Sequence, residues 1–160
     1  MSSTLTVRPA RAADEDALGR LGAMLVAEHH DFDPLRFLAP GPNTPQAYGH
    51  FLASQLDDAD KLVLVAERAE AVIGYAFAGM EGFDYMALRG PAGVIYDLIV
   101  DPEHRRQGVG TALLDALFEA LAGRGAPRVL LSTAEKNLGA QAMFAAAGFR
   151  RTMIEMTREL

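Results

Sequence analysis

Apolar positions along this chain recur at two periods, and the switches between them outline its elements. Residues 5–8, LTVR, alternate and stop at Pro9, as a short strand does. Residues 13–30 carry Asp14, Glu15 and Asp16 in a first turn, then Leu18, Leu21 and Leu25 at helical spacing, so acidic groups meet the positive end of a helix. A loop rich in proline and glycine is predicted over residues 31–43. Thr44 and Pro45 then give an N-cap and a proline at the first helical position, with Tyr48, Phe51, Leu52 and Leu56 as the apolar face of a second helix. KLVLVAE (61–67) and AVIGYAFAGM (71–80) read as an antiparallel hairpin joined through Arg68, Ala69 and Glu70. After a loop over residues 84–91 comes GVIYDLIV (93–100), a strand. Residues 108–122 form a broadly apolar helix whose one polar stripe is Thr111, Asp115 and Glu119, the pattern of a helix laid on a sheet. RVLLSTA (128–134) is a strand, residues 137–147 a short helix stopped by Gly148, and residues 149–160 a final strand.

A hairpin first and strand–helix–strand later make one mixed α/β domain over residues 1–160, with no repeat or linker. Half the 160 residues are hydrophobic and 22% are charged, enough apolar material for a single substantial core. The chain has no cysteine, which excludes disulfides and thiolate metal sites and fits a cytoplasmic location. No signal peptide or membrane span is read from the sequence. A net charge of -6 argues against nonspecific binding to nucleic acid.

Against that acidic background, HRRQGVGT (104–111) stands where a strand gives way to a helix. A helix N-terminus presents unpaired N–H groups and partial positive charge. Gly108 and Gly110 clear side chains from those groups, while Arg105 and Arg106 add fixed charge, a combination suited to phosphate or pyrophosphate. The dinucleotide fingerprint fails here, because its third glycine is missing and too little chain follows for a doubly wound sheet. The phosphate loop of nucleotide hydrolases fails for want of its Gly-Lys-Ser/Thr.

VDPEHRRQGVGTALL (100–114) resembles the acyl-CoA-binding motif of the GNAT-type N-acetyltransferases, with Arg105, Gly108 and Gly110 filling the pattern Arg/Gln-x-x-Gly-x-Gly/Ala. NLGAQAMFAAAGF (137–149) resembles that family's second motif at Asn137, Ala140, Met143, Gly148 and Phe149, and the order of elements agrees over nearly the whole chain. The resemblance implies a mixed, twisted sheet of six to seven strands flanked by about four helices, with acetyl-CoA in a gap between two splayed central strands. It places the pyrophosphate on the cradle of Arg105, Arg106, Gln107, Gly108, Val109, Gly110 and Thr111. It gives the pantetheine arm and the thioester carbonyl to main-chain groups of Leu98, Ile99 and Val100, and sets Asn137 and Phe144 beside the donor. It also implies a homodimer, for which the apolar residues Met153, Ile154 and Met156 of the final strand speak.

One departure stands out. The family's second motif has a tyrosine that protonates the departing CoA thiolate, and this chain has Phe144 there. Either the thiolate leaves unaided, or Ser132, Thr133 or Tyr96 substitutes, or the domain binds acyl-CoA without turnover.

Asp97 is an acid within the otherwise apolar run 94–100, where a carboxylate is costly unless it is paired or faces a cleft. It is the candidate base for deprotonating an amine, with Tyr96 beside it; a purely structural carboxylate is the alternative. His30 and Asp31, after the first helix, and Glu81, after the hairpin, are candidate acceptor contacts, and the acidic ones favour a cationic acceptor. His29, His30, Asp31 and Asp33 invite a metal, but nothing distant joins them, and no metal is expected. The expected activity is transfer of acetyl to a primary amine of a small molecule or peptide; the rival is a noncatalytic acyl-CoA-binding module.

Overall fold

A computed structural model of the protein describes residues 3–160. Its sheet has five strands in the order of the chain: β1 (Thr6–Pro9), β2 (Lys61–Arg68), β3 (Ala71–Glu81), β4 (Ala92–Val100) and β5 (Val129–Leu131). All neighbours are antiparallel except β4 and β5, which run parallel. Helices α1 (Glu15–Phe32) and α2 (Thr44–Ser54) cover one face, while α3 (Val109–Gly123) and α4 (Leu138–Ala146) cover the other. Among the described residues no helix is long and apolar enough to cross a membrane.

Strand alternation divides the core in two. Val63 and Val65 of β2, Tyr75 and Phe77 of β3 and Ile99 of β4 pack under Leu18, Leu21 and Leu52. Leu64, Ala66, Ala76, Ala78 and Ile95 face Leu113, Leu114, Leu117 and Leu121 of α3, with Phe144 of α4. The β2–β3 connection is a two-residue turn with Ala69 and Glu70 both at positive φ, 51° and 62°, the geometry that matches the twist of a tight hairpin.

Two features of the register create the site. In β4 the pairing partner of Phe77 is Asp97, but that of Ala78 is Ile95, so Tyr96 is an extra residue, a β-bulge. The bulge breaks the alternation. Ile95, Leu98 and Val100 contact the α3 side, whereas Tyr96, Asp97 and Ile99 all belong to the α1/α2 side. The second feature is the brevity of the β4–β5 ladder, which covers only Gly93, Val94 and Ile95 on β4. Beyond Ile95 the two strands have parted.

Helix α1 crosses α2 closely because glycines face each other. A Cβ on Gly49 would sit 2.6 Å from the Glu15 carbonyl oxygen, and one on Gly22 would overlap the ring of Tyr48. This contact seats Tyr48 over the sheet.

Two expectations are corrected. Residues 149–160 form no strand, so the sheet has five strands rather than six to seven. The neighbouring edge strand, β5, is three residues long and gives a ladder little to grow on. The tail is tied instead by a two-pronged ion pair between Glu155 and Arg36, and it leaves Met153, Ile154 and Met156 76%, 73% and 89% exposed. The loop expected from residue 31 begins later, since α1 runs on through Asp31 to Phe32.

Candidate active site

The turn between β4 and α3 is shaped by left-handed backbone at Arg106 (φ 59°) and Gly108 (φ 80°). The turn leads into the N-terminus of a 15-residue helix, where unpaired N–H groups suit an anion. Gly108 is the N-cap, and its backbone conformation suits only glycine at low cost. Arg106 is exposed and makes no hydrogen bond or ion pair to the described residues. Arg105 is engaged: its Nε donates to the Val100 carbonyl at 2.9 Å and its guanidinium pairs with Glu28. Gln107 receives a hydrogen bond from Arg68 at 2.6 Å. Of the two arginines, therefore, Arg106 offers the open charge, and Arg105 braces the loop against β4 and α1. Gly110 meets a different demand, because a Cβ there would lie 2.8 Å from Met143 Sδ.

The parted edge of β4 supplies polar groups next to this cradle. Asp101 N–H donates to the Ile73 carbonyl, which makes those two residues a hydrogen-bonded pair of the ladder. Ile99 and Tyr75 form the next such pair, so main-chain groups of Ile99 face β3. Those of Leu98 and Val100 face the gap, as the Arg105 bond to the Val100 carbonyl also shows. Of the three residues expected to hold the donor through main-chain groups, the geometry offers Leu98 and Val100. Phe144 is buried at 9% exposure and packs edge-on to Phe149, with centroids 5.7 Å apart. Asn137 caps α4 by accepting the Ala140 N–H at 3.1 Å. Thr111 and Val109 lie in the first turn of α3, Val109 in the core and Thr111 on a cleft of about 420 Å³ between α3 and α4.

On the α1/α2 side of the same stretch of β4 lies a second cleft, about 350 Å³, lined by Tyr48, Phe51, Gln55, Lys61, Phe77, Tyr96 and Asp97. The Asp97 carboxylate accepts hydrogen bonds at Oδ2 from Tyr48 (2.6 Å) and Tyr75 (2.9 Å). Burial pushes its pKa above the usual carboxylate range, and the two tyrosine hydroxyls counter that shift by favouring the charged form. Burial and the neighbouring carboxylate push both tyrosines up as well, so both stay protonated donors. Tyr96 donates to Glu81, whose other oxygen takes Arg89 at 2.5 Å. The Tyr96 hydrogen bond, then Arg89, hold Glu81 below its ordinary pKa despite partial burial.

The expected site residues are thus distributed unevenly. Asp97 and Tyr96 line the cleft together. Glu81 stands behind Tyr96, already engaged by two partners. His30 bonds the Phe37 carbonyl at 3.2 Å and Asp31 is exposed on the last turn of α1; neither lines the cleft. Sequence reasoning missed Tyr48, Tyr75 and Lys61. A signal existed for Tyr75, since a tyrosine inside the apolar run AVIGYAFAGM must find a hydrogen-bond partner when buried.

A family model described as the acetyltransferase (GNAT) family matches residues 24–149. N-acetyltransferase 8 of Homo sapiens is 33% identical over 129 residues, covering 76% of this chain and 56% of that protein. A mycothiol acetyltransferase of a Nocardioides species is 31% identical over 154 residues, 91% of this chain and 50% of the relative. The chain spans about half the length of these curated relatives. Among solved structures, a mutant Bacillus halodurans protein superposes with a TM-score of 0.84 at 20% identity, covering 97% of this chain and 99% of that one. A predicted acetyltransferase of Clostridium acetobutylicum, solved with acetyl-CoA, gives 0.74 at 19% identity and covers 96% of each chain.

Proposed function

The chain belongs to the GNAT acetyltransferase family, and from that premise we propose that it transfers acetyl from acetyl-CoA directly to a primary amine bound in the cleft over Asp97. One observation supports this reading: the β4–β5 ladder stops at Ile95, which leaves an unpaired edge of β4 running up to the glycine-rich turn, next to a bulge that turns Asp97 into a cleft.

The residues present fit the donor. The N–H groups of the turn around Gly108 and the charge of Arg106 suit the pyrophosphate, and main-chain groups of Leu98 and Val100 suit the pantetheine amides and the thioester carbonyl. The donor supplies an acyl carbon activated as a thioester. An ammonium arriving in the cleft must lose a proton before it can attack, and Asp97 takes that proton, directly or through one water. A carboxylate with a raised pKa is the better base for this step. The amine nitrogen then bonds to the acyl carbon as the C–S bond breaks, the electron pair leaves on sulfur, and the second proton of the nitrogen passes to solvent to leave a neutral amide. Phe144 has no proton to give. The thiolate departs as the anion, tolerable for a group whose acid has a pKa of about 8–9, and is protonated by solvent.

The test is release of free thiol from acetyl-CoA with a panel of amines. Thiol release that requires an amine supports the reading. CoA binding without release by any amine favours the noncatalytic module, for which Phe144 speaks. We further propose a homodimer that covers Met153, Ile154 and Met156; sedimentation of the chain and of a form ending at Phe149 checks it.

A further inference from the structure

Two residues of opposite charge, Asp97 and Lys61, line the acceptor cleft. Lys61 donates from Nζ to Tyr96 Oη at 3.1 Å and lies 4.8 Å from the centroid of the Tyr96 ring. The lysine is guided there, because its stem runs across Gly79, where a Cβ would come within 3.0 Å of Lys61 Cδ and 3.1 Å of Nζ. The ammonium keeps donors to spare. No carboxylate of the described residues lies within ion-pair distance of it; Glu81 and Asp58 attract it from farther away, and Glu81 is taken up by Arg89 and Tyr96. Phe51 and Phe77, 5.8 Å apart between centroids, line the same cleft.

We propose that Lys61 anchors an anionic group of the acceptor, so that the substrate is an amine that carries an anion at its far end. The inference rests on the acetyl-transfer reading above. Tyr96 sets the spacing, since its backbone adjoins Asp97 and its hydroxyl meets Lys61. Amine and anion are separated by about the length of a tyrosine side chain, farther apart than in an α-amino acid, with an apolar or flat portion between them. The locally acidic loops do not decide specificity here, because their carboxylates lie outside the cleft or are already paired.

The probe pair is 4-(aminomethyl)benzoate and 4-(aminomethyl)benzamide, which share a benzylic amine and a flat ring and differ in the far-end charge. The wild-type enzyme is expected to favour the benzoate in kcat/KM by about tenfold or more, the range of a charge-assisted contact. Lys61→Met should bring the ratio close to one, and Lys61→Arg should retain most of it. A wild-type ratio of one or below, or a ratio unchanged in Lys61→Met, overturns the proposal. If thiol release fails with every amine, the acetyl-transfer reading fails separately, and the same ratio is read as calorimetric affinity in the presence of CoA. Preference for the benzoate there, lost in Lys61→Met, still supports the anchor; equal affinities or no binding of either compound overturn it.

Discussion

Tyr48 Oη, on α2, donates to Asp97 Oδ2 on β4 across 2.6 Å, and with Tyr75 it gives a buried carboxylate two hydroxyl donors on a single oxygen. Oδ2 is saturated by the protein, so the remaining lone pairs of the carboxylate are the ones available to a ligand in the cleft. A buried acid can be held this way for structure or for catalysis, and the variants below separate the two.

Asp97→Asn should lower kcat by about 10²–10⁴-fold, the usual contribution of a general base, with acetyl-CoA affinity little changed. Stability should move the other way. Because burial raises the folded pKa of Asp97, its contribution to stability is fully present below the unfolded carboxylate value and is lost as pH rises through the folded one. Asparagine removes that penalty, so the variant should melt no lower than wild type at neutral pH. Steady-state kinetics with thermal melts at acidic and neutral pH check both. Wild-type kcat, or a lower melting temperature with impaired CoA binding, would assign Asp97 a structural role.

Tyr48→Phe removes a donor to the charged form of Asp97, and the carboxyl pKa must rise further. The acidic limb of the kcat–pH profile should shift upward by about one to two pH units, from the strength of a hydrogen bond to a charged group. A limb that stays in place would detach this tyrosine, and the base it supports, from the chemistry.

Gly22→Ala tests how the tyrosine is aimed. The added methyl overlaps the Tyr48 ring, so α2 or the ring must shift, at a cost of about 1–3 kcal/mol. The variant should show the same upward displacement of the acidic limb as Tyr48→Phe. Gly123→Ala, where a Cβ meets nothing within 4 Å, is the control and should leave the profile alone.

In the cradle, Gly108→Val places a β-branched residue at φ 80° and should weaken acetyl-CoA binding by at least tenfold, since strain of about 1–2 kcal/mol is added to the lost shape of the turn. Arg106→Ala should weaken binding at low salt and progressively less as salt rises, the behaviour of an exposed charge. Calorimetric titrations with CoA at two ionic strengths suffice. Affinities unchanged in both variants would remove the anion from this turn.

Phe144→Tyr should leave kcat at or above the wild-type value if the thiolate needs no acid, with any gain confined to pH below the thiol pKa. A fall in kcat at unchanged CoA affinity would show that the position requires an apolar ring in the cluster with Phe149.

The local signals in this chain were those a single segment carries by itself. Periodicity marked α1, α2, α3, α4 and strands β1 to β5, and two arginines followed by two glycines marked the candidate cradle, because a helix start and its unpaired N–H groups are properties of consecutive residues. The isolated acid in an apolar strand marked Asp97. Residues 149–160 show where this stops, since a strand needs an edge to pair with, and no pattern within the tail reports the length of β5. The face to which Asp97 turns was decided by the bulge at Tyr96, which strict alternation does not contain. Its partners Tyr48 and Tyr75 come from 49 and 22 residues away, brought together by the closeness of α1 to α2 and the register of β3 on β4. Lys61 was legible only as the first residue of a strand. Gly79 on the neighbouring strand lets its stem lie inward, and only tertiary packing puts a glycine and a lysine 18 positions apart side by side.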